Sequence, residues 1–212
     1  QYPRFNPEPH RQSSRYRFMF LVIVLWIAFG LRVWNSTSTD LNLDESWTYM
    51  NYVYMQLPEG FSQIFREPNN TLHILVTSSV LNVIPYRLGV RLLSLMAGLL
   101  CVAIVTRIGY RLFGIKTSLI VAILLAAAYS AIEISQTARP YIFANLFGLL
   151  ALLTWIEHKP RWNMLFSSIV PFFHVGAMPL VMTQDAFTLV EKLRGKRISV
   201  LRWVLSRLPV YI

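Results

Sequence analysis

The apolar and polar positions of this chain fall into long blocks rather than short alternations, so its elements read as helices. Residues 18–34, FMFLVIVLWIAFGLRVW, form one apolar run, close to the roughly 20 residues a helix needs to cross a bilayer. A polar stretch over 35–70 follows. The next apolar run, TLHILVTSSVLNVI at 71–84, lies between Asn69-Asn70 and Pro85. It is short for a span and contains Ser and Asn, so it predicts an interfacial helix. Residues 88–110 are long enough to cross, 117–134 return, and 141–156 cross again. The block 162–191 carries Pro171 and Gly176, which predicts two short helices meeting at an outer turn near His174. SVLRWVLSRLPVYI then begins a further span. The expected fold is an all-α polytopic membrane bundle of about six spans plus the start of a seventh. Residues 18–212 form its single transmembrane domain, with 1–17 a basic arm and about 35–87 a large external loop.

Composition agrees with that class. The chain is 55% hydrophobic and only 14% charged, with a mean hydropathy of +0.46, which is too apolar for an ordinary soluble domain. A net charge of +10 would suggest nucleic acid in a soluble protein. Here the basic residues fall between apolar runs, so the positive-inside rule accounts for them and no nucleic-acid partner is expected. Arg4, Arg11, Arg15 and Arg17 precede the first run and assign the N-terminus to the cytoplasm. Arg107, Arg111 and Lys116 assign a second cytoplasmic end, consistent only if residues 71–84 do not cross. The first run ends in Arg32, Val33 and Trp34 rather than at a small-residue cleavage site, so it reads as a retained span. Cys101 is the single cysteine and allows no internal disulfide.

The external loop gathers Asp40, Asp44, Glu45, Glu59 and Glu67 against one basic residue, Arg66. On this topology the Asp44-Glu45 pair shares the outer face with Asn70 and His73, with Arg87 and Arg91, with Arg139 and Tyr141, and with His174. A guanidinium at headgroup level binds phosphate bidentately and keeps its charge. A carboxylate beside it can take a proton from an attacking hydroxyl. Each feature also has a plainer structural account. Asp44 can cap a helix that buries Trp47, Met50, Tyr54 and Leu57, and Arg87 and Arg91 can snorkel to headgroups. Trp34, Trp47, Tyr49, Tyr52 and Tyr54 can form an aromatic belt. His73 and His174 can be structural, and Glu133 can simply reach water near a span end. Asn35-Ser36-Thr37 and Asn69-Asn70-Thr71 match the glycosylation triplet, a pattern that chance produces often.

Three stretches together resemble the GT-C fold of membrane glycosyltransferases, the superfamily of protein mannosyltransferases and lipid A aminoarabinose transferases. LDESWTYMN resembles the Asp-Glu motif of their first external loop. RLGVRLLSLMAGLLCVAIVTRIGYRLFG resembles their arginine-led second span, and SAIEISQTARPYIFANLFGLLALL the segment that opens their second external loop. FHVGAMPLV is a weaker fourth match. The resemblance implies transfer of a sugar from a polyprenyl-phosphate donor to an acceptor at the external face. It implies Asp44 as catalytic carboxylate with Glu45 beside it, and Arg87 or Arg91 with Arg139 on the donor phosphate. Asn70, His73, Tyr141 and His174 would then border the acceptor or cavity. A divalent metal near Asp44 is an option within the family, with no ligand set implied. Thr137 stands where relatives carry Glu, and PNNTLHILV lacks their usual element before the surface helix. The family pattern continues for several helices past residue 212. An alternative expectation is therefore a non-catalytic GT-C-derived subunit that binds lipids and other membrane subunits.

Overall fold

The computed structural model describes residues 11–34, 36, 40, 42–48, 71–81, 86–194 and 207. Every regular element among them is helical: α1 (Arg11–Val33), α2 (Leu43–Thr48), α3 (Thr71–Leu81), α4 (Tyr86–Phe113), α5 (Ile115–Ala127), α6 (Tyr129–Gln136), α7 (Tyr141–Ile156), α8 (Pro160–Phe173), a 3-10 turn (Val175–Ala177) and α9 (Met178–Arg194). The all-α expectation holds at that level. Met50, Tyr54, Leu57, Asn70 and the aromatic positions 49 and 52 lie outside the described residues, as does the start of the last span apart from Arg207.

Helix α4 is the central strut and packs against α1, α3, α5, α6 and α7. On one side Ala97 and Cys101 meet Ile142, Phe143, Ala144 and Leu146 of α7 and Phe173 of α8. On another, Val102 meets Val24 and Ala28 of α1 and Ala122 and Ala126 of α5. The small residues in the second cluster let three helix backbones approach closely. Among the described residues Arg91–Phe113, with a mean hydropathy of 2.1, is the one single helix long and apolar enough to cross a membrane, and Ile115–Ala127 with Tyr129–Gln136 passes the same test only as a bent pair. Phe18–Val33, Tyr141–Ile156 and Val175–Val190 are apolar but shorter.

The breaks between helices have local causes. Gly114 joins α4 to α5 with φ +81°, a left-handed conformation that suits residues without a Cβ. Pro160 opens α8 at a position where the missing N–H costs nothing. His174 is extended (φ −163°, ψ 118°) and separates α8 from the 3-10 turn, as the Pro171–Gly176 pattern predicts.

Residues 117–134 depart from the sequence expectation of one continuous helix. They break at Ala128 (φ −64°, ψ 118°), and α5 and α6 bend by 56°. The bend strands carbonyls at the end of α5, and Arg32 of α1 gathers them. Its Nη1 donates to Ala126 O (3.2 Å) and to Ala28 O in its own helix (3.1 Å); its Nη2 donates to Leu125 O (3.4 Å) and its Nε to Ser135 Oγ (3.2 Å). The service is returned at the end of α1, where Gln136 Nε2 donates to Trp34 O (2.8 Å) and Arg32 O (3.1 Å). A sequence window centred on residue 128 contains no Pro or Gly, so nothing in it marked the bend.

Gly98 is where α4 admits this arrangement. A Cβ there would overlap the Ser135 side chain and stand 3.2 Å from Arg32 Nε. Gly98→Val is expected to destabilise the fold by about 1–3 kcal/mol, read as a lower Tm in mild detergent.

Candidate functional site

The sequence Asn42-Leu43-Asp44-Glu45 forms a capping box. Asn42 Oδ1 accepts from Glu45 N–H (2.8 Å), and Glu45 Oε2 accepts from Asn42 N–H (3.0 Å). Both orphan donors at the start of α2 are satisfied reciprocally. The structural alternative that gave the cap to Asp44 is thereby corrected: the cap is Asn42, because only that position puts Glu45 at the third helical residue.

Glu45 does more than close the box. It is 1% exposed, and Oε2 accepts from Arg91 Nη2 at 2.7 Å while Oε1 accepts from Arg91 Nε at 3.1 Å, a fork-to-fork pair. Oε1 also accepts from Ala138 N–H at 2.6 Å. Arg91, 4% exposed, uses its other donors on Ser36 O (2.5 Å) and Asp40 O (3.1 Å). One carboxylate thus joins α2, the start of α4 and the turn between α6 and α7. One guanidinium adds the strand of chain that leaves α1. Burial pushes Glu45 toward protonation, but the bonds from Arg91, Ala138 and Asn42 outweigh it and hold the carboxyl below its usual 4.5.

The other expected site residues cluster around the first turn of α7. Arg139 follows Ala138 and is half-buried, its N–H donating to Thr137 O (2.9 Å). The Tyr141 ring meets His174 edge-on at 4.7 Å, and Phe143 leans on His73 at 5.6 Å. His73 is 2% exposed and its Nε2 lies 3.4 Å from Thr77 Oγ1. Burial lowers its pKa to about 4, against a smaller upward pull from Glu45, so it is neutral at pH 7. Asp44 lies in α2 beside Glu45. Arg87 lies one turn before Arg91 on α4. Asn70 falls outside the described residues. Glu45, Arg91, Ala138-Arg139, His73, Tyr141 and His174 therefore belong to one neighbourhood. Glu133 is exposed in α6 and belongs to no bonded cluster among the described residues. No group of three or more His, Cys, Asp or Glu gathers among the described residues, and the Glu45 oxygens are already taken, so the chain provides no described ligand set for a divalent metal.

Two polar features escaped the sequence reading. Arg32 is one; its signal was an arginine at the outer end of the first apolar run, against the charge bias. The other ties α7, α8 and α9 together. Arg207 donates to Asp185 Oδ1 and to Asn163 Oδ1, each at 2.9 Å, and Asn163 Nδ2 donates to Ala151 O (2.9 Å) and Gln184 Oε1 (3.1 Å). The spacing of Asn163, Asp185 and Arg207 in sequence follows no motif.

Comparison of the chain with known protein families, with curated proteins and with solved structures returns no match.

Two outcomes follow from the buried pair. Arg91→Met alone, which leaves Glu45 buried without its cation, is expected to lose about 3–5 kcal/mol. The double variant Glu45→Gln/Arg91→Met should recover much of that loss in a double-mutant cycle of unfolding free energies. Acid should act in two stages. His73 binds a proton when unfolded but resists it when folded, so stability falls as pH drops from 6.5 toward about 4. The Glu45 contribution is complete above its ordinary value of 4.5 and is lost as pH falls below it. A pH series of Tm values should show the upper stage vanish in His73→Phe and the lower stage shrink in Glu45→Gln.

Proposed function

We propose that this chain is the core of a GT-C-like membrane glycosyltransferase, using a polyprenyl-phosphate sugar at the external face. The observation that carries the reading is the junction at Glu45. The three stretches that resemble the family are far apart in sequence, and Arg91 and Ala138, from the second and third, both donate to Glu45 from the first. Exposed Phe18, Ile23, Trp26, Ile27 and Leu31 on α1, and Leu180, Met182, Phe187 and Val190 on α9, support a lipid-facing exterior and hence the polytopic arrangement. The N-terminus is cytoplasmic and the Glu45 end external on the charge bias of the sequence.

In this reading the two adjacent carboxylates divide the work. Glu45 is a positioning residue: its fork on Arg91 and its bond to Ala138 N–H hold α2 in place. Asp44, the residue before it on the same fixed helix, takes the proton from the acceptor hydroxyl as that oxygen attacks the anomeric carbon. The bond from that carbon to the phosphate oxygen breaks, inverting the centre, and the polyprenyl phosphate leaves with the electron pair. Arg139, with Arg87, stabilises the charge that develops on the leaving phosphate. Arg91 serves indirectly, since its donors are already engaged by Glu45, Ser36 and Asp40.

A second reading, a non-catalytic membrane subunit, draws support from the same pair, because two of the family's charged positions neutralise each other here. Sugar transfer from a radiolabelled polyprenyl-phosphate donor in membranes separates the two. Asp44→Asn is expected to lower transfer by at least about 100-fold with Tm unchanged. Glu45→Gln should lower transfer and Tm together. Equal transfer by wild type and Asp44→Asn would move the assignment to the subunit.

A further inference from the structure

Arg32 is unused by the glycosyl-transfer chemistry, although it is 1% exposed. No carboxylate among the described residues pairs with it. Four of its contacts are to neutral oxygens, the carbonyls of Ala28, Leu125 and Ala126 and the hydroxyl of Ser135. A guanidinium has five N–H groups, so one on Nη2 remains. Carbonyl dipoles at the end of α5 satisfy hydrogen bonds and offset only part of a full buried charge.

That charge stands in the wall of a cavity of about 410 Å³, within the size range of small-molecule sites. The cavity lies among α1, α4, α5, α6, α7, the 3-10 turn and the start of α9. Cys101, Val105, Ile134, Leu149 and Leu180 give it an apolar lining, and Asn145 also lines it. An apolar chamber with one uncompensated cation selects an amphiphile with one negative charge. A monoanionic head brings the buried charge to zero, whereas a phosphate monoester leaves a net negative charge in apolar surroundings.

We infer that this cavity binds a single long-chain carboxylate, its alkyl chain against the apolar walls and its head on the Arg32 guanidinium. The N–H left on Nη2 can donate to one carboxylate oxygen, and Asn145, also in the lining, carries amide donors. The inference rests on Arg32 and the cavity alone and is independent of whether Asp44 is catalytic.

The test uses the full chain in neutral maltoside micelles, with native mass spectrometry counting bound ligand. Decanoate, decyl phosphate, decanol and decyltrimethylammonium are offered at equal concentration. One saturable decanoate is expected, bound at least about ten-fold more tightly than the other three. Ala131→Phe, which fills the cavity without changing charge, should abolish binding, and Arg32→Gln should weaken it about ten-fold. Because Arg32 also caps α5, Arg32→Lys serves as the folded control that keeps the charge, and it should retain binding if Arg32→Gln fails to fold. Equal occupancy by decanol and decyltrimethylammonium would show a greasy void without headgroup recognition. A preference for decyl phosphate would overturn the monoanion assignment. Undiminished decanoate binding by Ala131→Phe would put the ligand elsewhere.

Discussion

The buried Glu45–Arg91 pair is the constraint on which the rest of this end of the molecule depends. Two charges removed from water cost several kcal/mol each in desolvation, and only good geometry and further hydrogen bonds make up the loss. Here Glu45 adds the amide N–H groups of Asn42 and Ala138 to the fork, and Arg91 adds the carbonyls of Ser36 and Asp40. Those partners lie on the stretch between α1 and α2 and on the turn before α7. Satisfying two charges therefore fixes the exit from α1, the whole of α2, the head of α4 and the entry to α7. The pair specifies an arrangement more than it adds stability, since an apolar pair of similar size can be as stable.

Arg32 makes an instructive contrast, since it is buried to a similar degree. Arg91 meets a carboxylate; Arg32 meets carbonyls that a helix break has freed. The first is neutral as a unit, and the second keeps a net charge beside an apolar chamber. Placement of charge thus separates two roles that composition alone treats as the same residue type. The exchange of caps between Arg32 and Gln136 also helps a bend without Pro or Gly persist: Leu125 O and Ala126 O take donors from α1, and Arg32 O and Trp34 O take one from α6.

The site is built around the first turn of α7. Ala138 N–H binds Glu45, Tyr141 meets His174, and Phe143 meets His73 and stacks on Phe173 at 5.1 Å. Aromatic contacts with α3 and with the α8 turn brace that turn from two sides, while the carboxylate holds its start. The proposed sugar transfer would have a rigid frame there, with Asp44 on the helix that the frame secures. The same frame serves a subunit that has no chemistry, so Asp44, not the frame, is the residue that separates the two readings.

What the sequence by itself determined was local and periodic. Apolar blocks marked α1, α4 and α7, the Pro171–Gly176 interval marked the break at His174, and Asn69-Asn70 ahead of an apolar run marked α3. Those features depend on neighbours within a few turns, so a linear reading reaches them. The adjacent carboxylates were visible too, but not that Glu45 is the one buried against Arg91, because only packing decides which helix position faces inward. The Arg91 partnership with Glu45, the capture of α5 carbonyls by Arg32, and the Asn163–Asp185–Arg207 cluster belong to the tertiary structure alone. They join residues tens of positions apart, and a long flexible side chain finds its partner only after the backbone elements have met.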